Sequence, residues 1–353
     1  MSGVPAPWLQ RTWQQASEAR ASGRLPHGLL LTGPERLGKR ELAERLVQAL
    51  LCPQAGPAGA CGHCRACAMF ESRYQRDPLE MRPDETPAHP AGHPGHPDAR
   101  YVGYVWNEKA SPKRMFQELV IEQIRELSSW LVLSPQLAGP KVALIEPAHA
   151  LTHAAANALL KTLEEPVPGR YLVLVTDQPQ RLPATIRSRC QRLEVKLPPR
   201  EEALAWLAQA GHGGARAAAA LAANHGHPGR VRHDLEQGGM ELRAEIARDL
   251  LALASGKERV APAAQRWCDE RLGQRLQFAT ETIRDWSAAL AVGADLPGGL
   301  PANLDRRRLA EWYDEAGRCQ SLLRTTLRQD LMLAELLRRW RDAAAVQPAA
   351  AKR

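Results

Sequence analysis

Four cysteines fall within sixteen residues, Cys52, Cys61, Cys64 and Cys67, in the pattern Cys-x8-Cys-x2-Cys-x2-Cys. Four thiolates in so short a loop suit a tetrahedral Zn²⁺, and four Cys ligands leave no open position, so the expected site is structural. Overlapping CxxCxxC also occurs in iron–sulfur ligation, but no Cys-Pro follows Cys67 and the chain has no second cluster. Zinc is the expectation, with iron–sulfur and free thiols as the alternatives. His63 lies inside the cluster, but the four cysteines already complete a shell, and it reads as a surface residue.

The segment Gly33-Pro-Glu-Arg-Leu-Gly38-Lys39-Arg40 matches GxxxxGK of a phosphate-binding loop. Backbone N–H groups at such a strand-to-helix turn can cradle phosphate, and Lys39 can pair with it as a point charge. The next residue should be Ser or Thr, whose hydroxyl ligates Mg²⁺, and Arg40 has none. Gly33, Gly38 and Lys39 therefore read as a degenerate loop kept mainly for its geometry, and ATP with Mg²⁺ is a doubtful ligand. A second lesion lies at Leu144-Ile145-Glu146-Pro147-Ala148-His149. A hydrolysing ATPase ends this strand with an acid that holds Mg²⁺, then a Glu that polarises water. Glu146 can take the first position, but Pro147 offers no base. Two independent lesions predict a chain that is not a working ATPase. Ser188-Arg189-Cys190 follows later, and by composition Arg189 is one more surface arginine.

The elements that must position these residues alternate. His27–Thr32 (HGLLLT) is a short apolar run of buried-strand type, followed by the Gly-containing loop. Glu41–Leu51 carries the stripe of an amphipathic helix. Lys141–Ile145, Tyr171–Thr176 and Arg192–Val195 read as further strands, with a helix from His153 to Glu165 and helical periodicity from Pro112 to Leu133. This alternation predicts an α/β fold, a parallel sheet covered by helices. Asp77–Asp98, rich in Pro and His, reads as an exposed, mobile loop. After Leu197-Pro198-Pro199 no strand-like run occurs, and Ala-rich helical segments take over. A small helical unit covers Glu201–Asn224. Long helices follow from about Met240, and Leu309, Trp312, Ala316, Cys319, Leu323, Leu327, Leu331, Ala334, Leu337 and Trp340 mark one apolar face, read as packing.

With 353 residues, 44% of them apolar, the chain is long enough for two or three cores. No apolar run approaches the length of a membrane span, and no secretion signal is visible at Met1-Ser2-Gly3-Val4-Pro5, so a soluble cytoplasmic protein is expected. The cysteine cluster in such a chain favours metal over disulfides. The formal charge of +8 permits nucleic-acid contact without locating it, because the basic residues are scattered among acids.

Taken together, Leu25-Pro26-His27, GPERLGKR (33–40), CGHCRAC (61–67), ANALLKTLEEP (156–166) and LPATIRSRC (182–190) resemble the delta-prime family of bacterial DNA polymerase III clamp-loader subunits, within the AAA+ superfamily. The resemblance covers about Trp8 to Leu197, and the helical half matches in character and in its ending, LRQDLMLAELLRRW (327–340). It implies a RecA-like AAA+ domain over 1–197 with the zinc module at 52–67, and a helical lid over 198–238. A helical collar over 239–345 and a disordered tail at 346–353 complete it. It also implies a hetero-pentamer with gamma/tau motor subunits and the delta subunit, which opens the sliding clamp and places it on primed DNA as part of the polymerase holoenzyme. The family member acts there as a stator. Its Arg189, set by Ser188 and Cys190, reaches in trans the ATP of an adjacent motor subunit. Gly229 and Arg230 sit where the lid of related ATPases senses nucleotide, and are read here as structural. The His/Pro-rich stretch near 80–100 departs from the family pattern and is assigned no function.

Two other classes compete with this reading. An active ATPase motor subunit of the same loader is opposed by Arg40 and Pro147. A zinc-dependent nucleic-acid module is opposed by the cysteine cluster itself, which lacks alternating basic and exposed aromatic residues, only Arg65 and Arg73 lying near it.

Overall fold

The computed structural model describes residues 6–83, 86–107, 114–294, 300, 304–323 and 328–344. The chain divides into two compact units, Met1–Arg232 and His233–Arg353. In the first, α1 (Pro7–Ala21) precedes β1 (Gly28–Thr32), and α2 (Lys39–Leu51) starts at the end of the Gly-containing loop. Then come α3 (Arg65–Glu71), β2 (Ala99–Val102), α4 (Ile121–Val132) and β3 (Lys141–Ile145). The α/β part closes with α5 (His153–Glu164), β4 (Arg170–Thr176), α6 (Ala184–Arg189) and β5 (Gln191–Glu194).

The five strands form one parallel sheet in the order β2-β3-β4-β1-β5. Its register places Leu30 beside Leu174 and Arg192, and Leu144 beside Tyr101 and Val173. Every residue of β1 and β3 is buried. Continuous apolar runs such as GLLLT and KVALI are what a strand covered on both faces requires. Leu30, Ile124, Leu127, Ile145, Leu159 and Leu174 share one core. Because β1 is an interior strand of a parallel sheet, the loop that follows it opens at the carboxyl ends of the strands, where ligands of such sheets bind.

Three sequence expectations need correction here. The edge strand β2 was not foreseen. It is four residues long and only half buried, so Ala-Arg-Tyr-Val carries no apolar run. The helix expected from Pro112 begins only at Ile121. Arg114–Met115 instead pairs antiparallel with Trp106–Asn107, and residues 112 and 113 lie outside the described ones. Asp77–Asp98 is not an exposed loop, since Glu80, His89, His93, His96 and Asp98 are each at most 5% exposed. The segment also contributes His93–Pro94 to a two-stranded ribbon with Arg73–Tyr74. Hydrogen bonding buries it, not apolar content, and composition gave no sign of that.

Past the sheet come α7 (Arg200–Gln209), α8 (Gly214–Ala223) and α9 (Pro228–Glu236). The second unit holds α10 (Gly239–Ala254), α11 (Val260–Trp267), α12 (Leu272–Ala291), α13 (Arg306–Leu322) and α14 (Gln329–Ala344). Its core is built on Trp267, Trp312 and Trp340, each with an exposure of 0%. Each of these three indole N–H groups has an acceptor: Asp249 Oδ2 at 2.8 Å, the Leu336 carbonyl at 3.1 Å and the Leu250 carbonyl at 2.9 Å. Large aromatic area is thus buried without stranding a donor. The apolar face expected from Leu309 to Trp340 is divided between α13 and α14. Leu331 leaves it, 59% exposed, and Leu327 and the tail at 346–353 lie outside the described residues. Among the described residues no helix is long and apolar enough to cross a membrane.

Candidate functional site

The phosphate loop folds as its glycines require. Gly33 and Gly38 take φ of 140° and 85°, and Gly38 stands at the N-cap of α2. Lys39, the first residue of α2, is only 7% exposed, and its ammonium donates to the Pro34 carbonyl at 2.5 Å. Burial pulls its pKa below the ordinary lysine value, against the pull of Asp177, Glu146, Glu35 and Glu41. Asp177, at the end of β4, was not singled out by sequence. It faces this loop and pairs with His149 Nδ1 at 3.0 Å.

Arg40 turns the other way. Its guanidinium donates to Glu44 Oε1 at 2.9 Å, to the Ala88 carbonyl at 3.2 Å, to His89 Nδ1 at 2.8 Å and to Glu146 Oε2. Arg82 takes the other oxygen of Glu146 at 3.4 Å. Both oxygens of the acid that would hold Mg²⁺ are therefore engaged by guanidinium groups. Position 40 has no hydroxyl and Pro147 no carboxylate. A Mg²⁺-nucleotide does not fit this residue set.

The insert meets the loop through Arg40. Because Arg40 donates to His89 Nδ1, the ring proton of neutral His89 is assigned to Nε2, which faces Glu80 Oε2 at 3.5 Å. Glu80 also accepts from His93 Nε2 at 2.7 Å and from Arg76 at 2.8 Å. Burial, with Arg40, His93, Arg76 and Arg82 nearby, pushes the His89 pKa down to about 2. The donor atoms of Glu80, His89 and His93 lie within 4.8 Å of one another, as metal ligands would. Arg40 at 2.8 Å from His89 Nδ1 and Arg76 at 2.8 Å from Glu80 set two guanidinium charges beside this group. Arg40 thus bonds His89, and Glu80 gathers His93 and Arg76, with His89 Nε2 lying beside Glu80 at 3.5 Å.

The four cysteines come together as expected. Cys52 caps the C-terminus of α2, Cys64 the N-terminus of α3, and Cys67 lies within α3. All four Sγ atoms lie within 4.8 Å of one another, with Cys52–Cys64 at 3.8 Å and Cys61–Cys67 at 3.9 Å. A tetrahedron with Zn–S bonds of ~2.3 Å has edges of ~3.8 Å. The donor set and its spacing fit one metal ion, which would tie the end of α2 to the start of α3. Backbone N–H groups of Cys61 and Cys64 point at Cys52 Sγ and Cys61 Sγ, at 3.3 and 3.4 Å. The His63 backbone N–H, with that of Cys64, pushes the Cys61 thiol down to about 6, whereas burial pushes Cys67 up to about 12. His63 is exposed and turns its ring to the Cys61 carbonyl, outside the sulfur shell. The module docks on α1, where Trp13 Nε1 and Ser17 Oγ both donate to the Pro57 carbonyl at 3.0 Å.

Arg189 ends α6. Its side chain is 38% exposed, its Nη2 pairs with Glu164 at 2.7 Å, and its Nη1 donates to the Thr185 carbonyl at 3.2 Å. Ser188 is exposed beside it. Cys190 is buried, its thiol pushed up to about 11 by burial, and it packs rather than reacts. In sequence Glu164 is one residue of the ANALLKTLEEP motif. No spacing signal pointed to its partner, because the pair joins the ends of two different helices.

Residues 8–199 match the protein family described as DNA polymerase III, delta subunit. DNA polymerase III subunit delta' of Pseudomonas aeruginosa is 35% identical over 259 residues, covering 72% of this chain and 70% of that one. The chain belongs to the DNA polymerase III delta-prime family. The delta-prime subunit of Escherichia coli K12 is 29% identical over 349 residues, or 94% of each chain. The tau subunit from the same organism is 30% identical over 174 residues, 49% of this chain and 22% of that one. Within the delta-prime family, then, this member pairs a five-stranded parallel sheet and a four-cysteine module with a phosphate loop whose metal side is closed by Arg40.

Proposed function

We propose that this chain is the stator of the DNA polymerase III clamp loader: it hydrolyses no ATP itself and lends Arg189 in trans to the ATP of a neighbouring gamma/tau motor subunit. With those subunits and delta it forms a hetero-pentamer that places the sliding clamp on primed DNA, which this chain touches weakly or indirectly. Residues 1–197 serve as the AAA+ domain, 198–238 as the lid, and 239–345 as the collar that holds the ring together. Zn²⁺ at Cys52, Cys61, Cys64 and Cys67 is structural.

One observation carries the proposal. The core is disarmed at its own phosphate loop by Arg40 and Glu146, yet presents Arg189 from a rigid helix end with its guanidinium partly free. A guanidinium aimed at developing phosphoryl charge contributes ~10³–10⁵ in rate. Lys39 and the glycines keep the shape of a phosphate loop but have lost the metal half of the site.

The test is single-turnover ATP hydrolysis by the reconstituted loader with clamp and primed DNA. Wild-type chain, Arg189→Ala and omission of the chain are compared. Arg189→Ala should assemble normally while hydrolysis at the site it faces drops by ~10³-fold. Normal assembly with an unchanged rate would show Arg189 to be structural.

A further inference from the structure

We infer that Glu164 is the positioning residue of Arg189, holding its guanidinium on one edge so that the other meets the neighbouring subunit's phosphate. The inference rests on the in-trans role proposed above for Arg189.

The two side chains come from the last residues of α5 and α6, and both helix ends are fixed from beneath at one point. His27 Nε2 bonds the Leu163 carbonyl at 2.9 Å and so ties the end of α5 to the residue before β1. Gly28, the next residue, is where both helix ends meet the sheet. A Cβ built there would lie 2.9 Å from Leu163 Cδ2, 3.2 Å from the Arg189 carbonyl and 3.3 Å from Cys190 Sγ. Only glycine lets these three approach so closely. Leu163, Ile186 and Cys190 are buried under the pair, at 2%, 0% and 8% exposure. Three segments remote in sequence, Pro26-His27-Gly28, Leu163-Glu164 and Arg189-Cys190, thus form one mount. Its backbone is rigid, and what it leaves loose is the long side chain of Arg189.

Glu164 supplies that restraint. Its Oε1 takes Nη2 at 2.7 Å, while Nη1 is turned to the Thr185 carbonyl, with Ser188 Oγ at 3.5 Å. Among the described residues, the Nε–H and the outer N–H bonds have no protein partner. The guanidinium fork is suited to this division, because it bonds a carboxylate along one edge and phosphate oxygens along another. An unrestrained arginine samples many rotamers, and ordering it ahead of the encounter removes an entropy cost from the hydrolysis step. Since both groups are partly exposed, at 38% and 48%, the pair adds little to folding and its effect falls on orientation.

The experiment uses the reconstituted loader with clamp and primed DNA, and compares wild-type chain with Glu164→Gln, Arg189→Ala and the double variant. Glu164→Gln should assemble and melt like wild type and leave KM for ATP unchanged. Its kcat should fall roughly 3- to 10-fold, well short of the loss expected for Arg189→Ala. Glu164→Asp should recover part of the rate, and the double variant should be no slower than Arg189→Ala alone. A Glu164→Gln rate at or above wild type overturns the inference, as does a loss that persists undiminished in the Arg189→Ala background. If Arg189→Ala itself keeps the wild-type rate, the in-trans role fails first and the positioning role with it.

Discussion

The guanidinium of Arg40 bonds the carboxylate of Glu146 at the end of β3, with the two side chains 13% and 12% exposed. A protein cation thereby stands beside the acid that a hydrolysing relative would use for its metal. Burial alone would lower the pKa of Arg40, but Glu146 and Glu44 outweigh it and hold the guanidinium charged.

Arg40→Met should therefore be costly for folding. It leaves Glu146 with Arg82 at 3.4 Å and Glu44 with Arg73 at 3.3 Å, both poorer partners, and takes the donor from His89. Loss of one member of a buried pair costs about 3 kcal/mol, read as a lower urea midpoint at unchanged m-value. Arg40→Ser restores the hydroxyl of a phosphate loop, yet Pro147 still supplies no base. The isolated variant should show no Mg²⁺-dependent ATP turnover, and neither should wild type. Turnover that disappears on Lys39→Ala would overturn the stator function.

Replacing Cys61 and Cys64 together by Ser should remove one equivalent of zinc per chain, measured by elemental analysis. Two ligands cannot hold a structural Zn²⁺, and the closed site contributes directly to folding. The thermal transition of the first unit should fall, because the metal ties α2 to α3 next to the docking contact with Trp13. Full zinc content with unchanged melting would refute the site.

Stability should also fall on mild acidification. Burial keeps His89 and His227 neutral in the fold, pushing them down to about 2 and about 4. Arg40, His93, Arg76 and Arg82 add to this at His89, and Arg230 and Lys39 at His227. The unfolded chain protonates both near pH 6.5, so below that value it binds more protons than the folded one, and stability rises with pH. The contribution is complete above about pH 6.5 and is lost as pH drops. By pH 5 each histidine should have cost about 2 kcal/mol relative to pH 7.5. Urea titrations at the two pH values, repeated on His89→Gln and His227→Gln, should show each variant's acid loss smaller by about that amount.

Sequence carried the α/β part wherever burial is apolar and local. β1, β3 and β4 are continuous hydrophobic runs, and the cysteine spacing alone implied four converging sulfurs. It failed where burial is polar. Glu80, His89 and His93 are covered because His89 bonds Arg40 while Glu80 bonds Arg76 and His93, and a Pro/His-rich composition resembles that of an exposed loop. The edge strand β2 failed for a related reason, since only its last two residues, Tyr101 and Val102, are buried. The partner of Arg189 was out of reach because twenty-five positions separate Glu164 from it, and only the folded helix ends bring them within 2.7 Å.

Gly229→Ala separates two opposing effects by sign. Gly229 lies in the first turn of α9, where alanine should stabilise a helix by roughly 0.5–1 kcal/mol. A Cβ at this position, however, would stand 1.9 Å from the Arg36 carbonyl oxygen and 2.8 Å from its carbon, backbone atoms of the phosphate loop with no flexible end to yield. Arg36 itself has φ of 56°, so the loop has little freedom to retreat. The substitution should push the start of α9 off the loop and stretch the Arg230–Glu35 pair, now 3.2 Å. The expected result is a net destabilisation of about 2 kcal/mol, with faster amide exchange in residues 33–38 and 227–232. A stabilised variant with unchanged exchange would mean that the two segments are not in contact, and that this glycine serves only to start the helix.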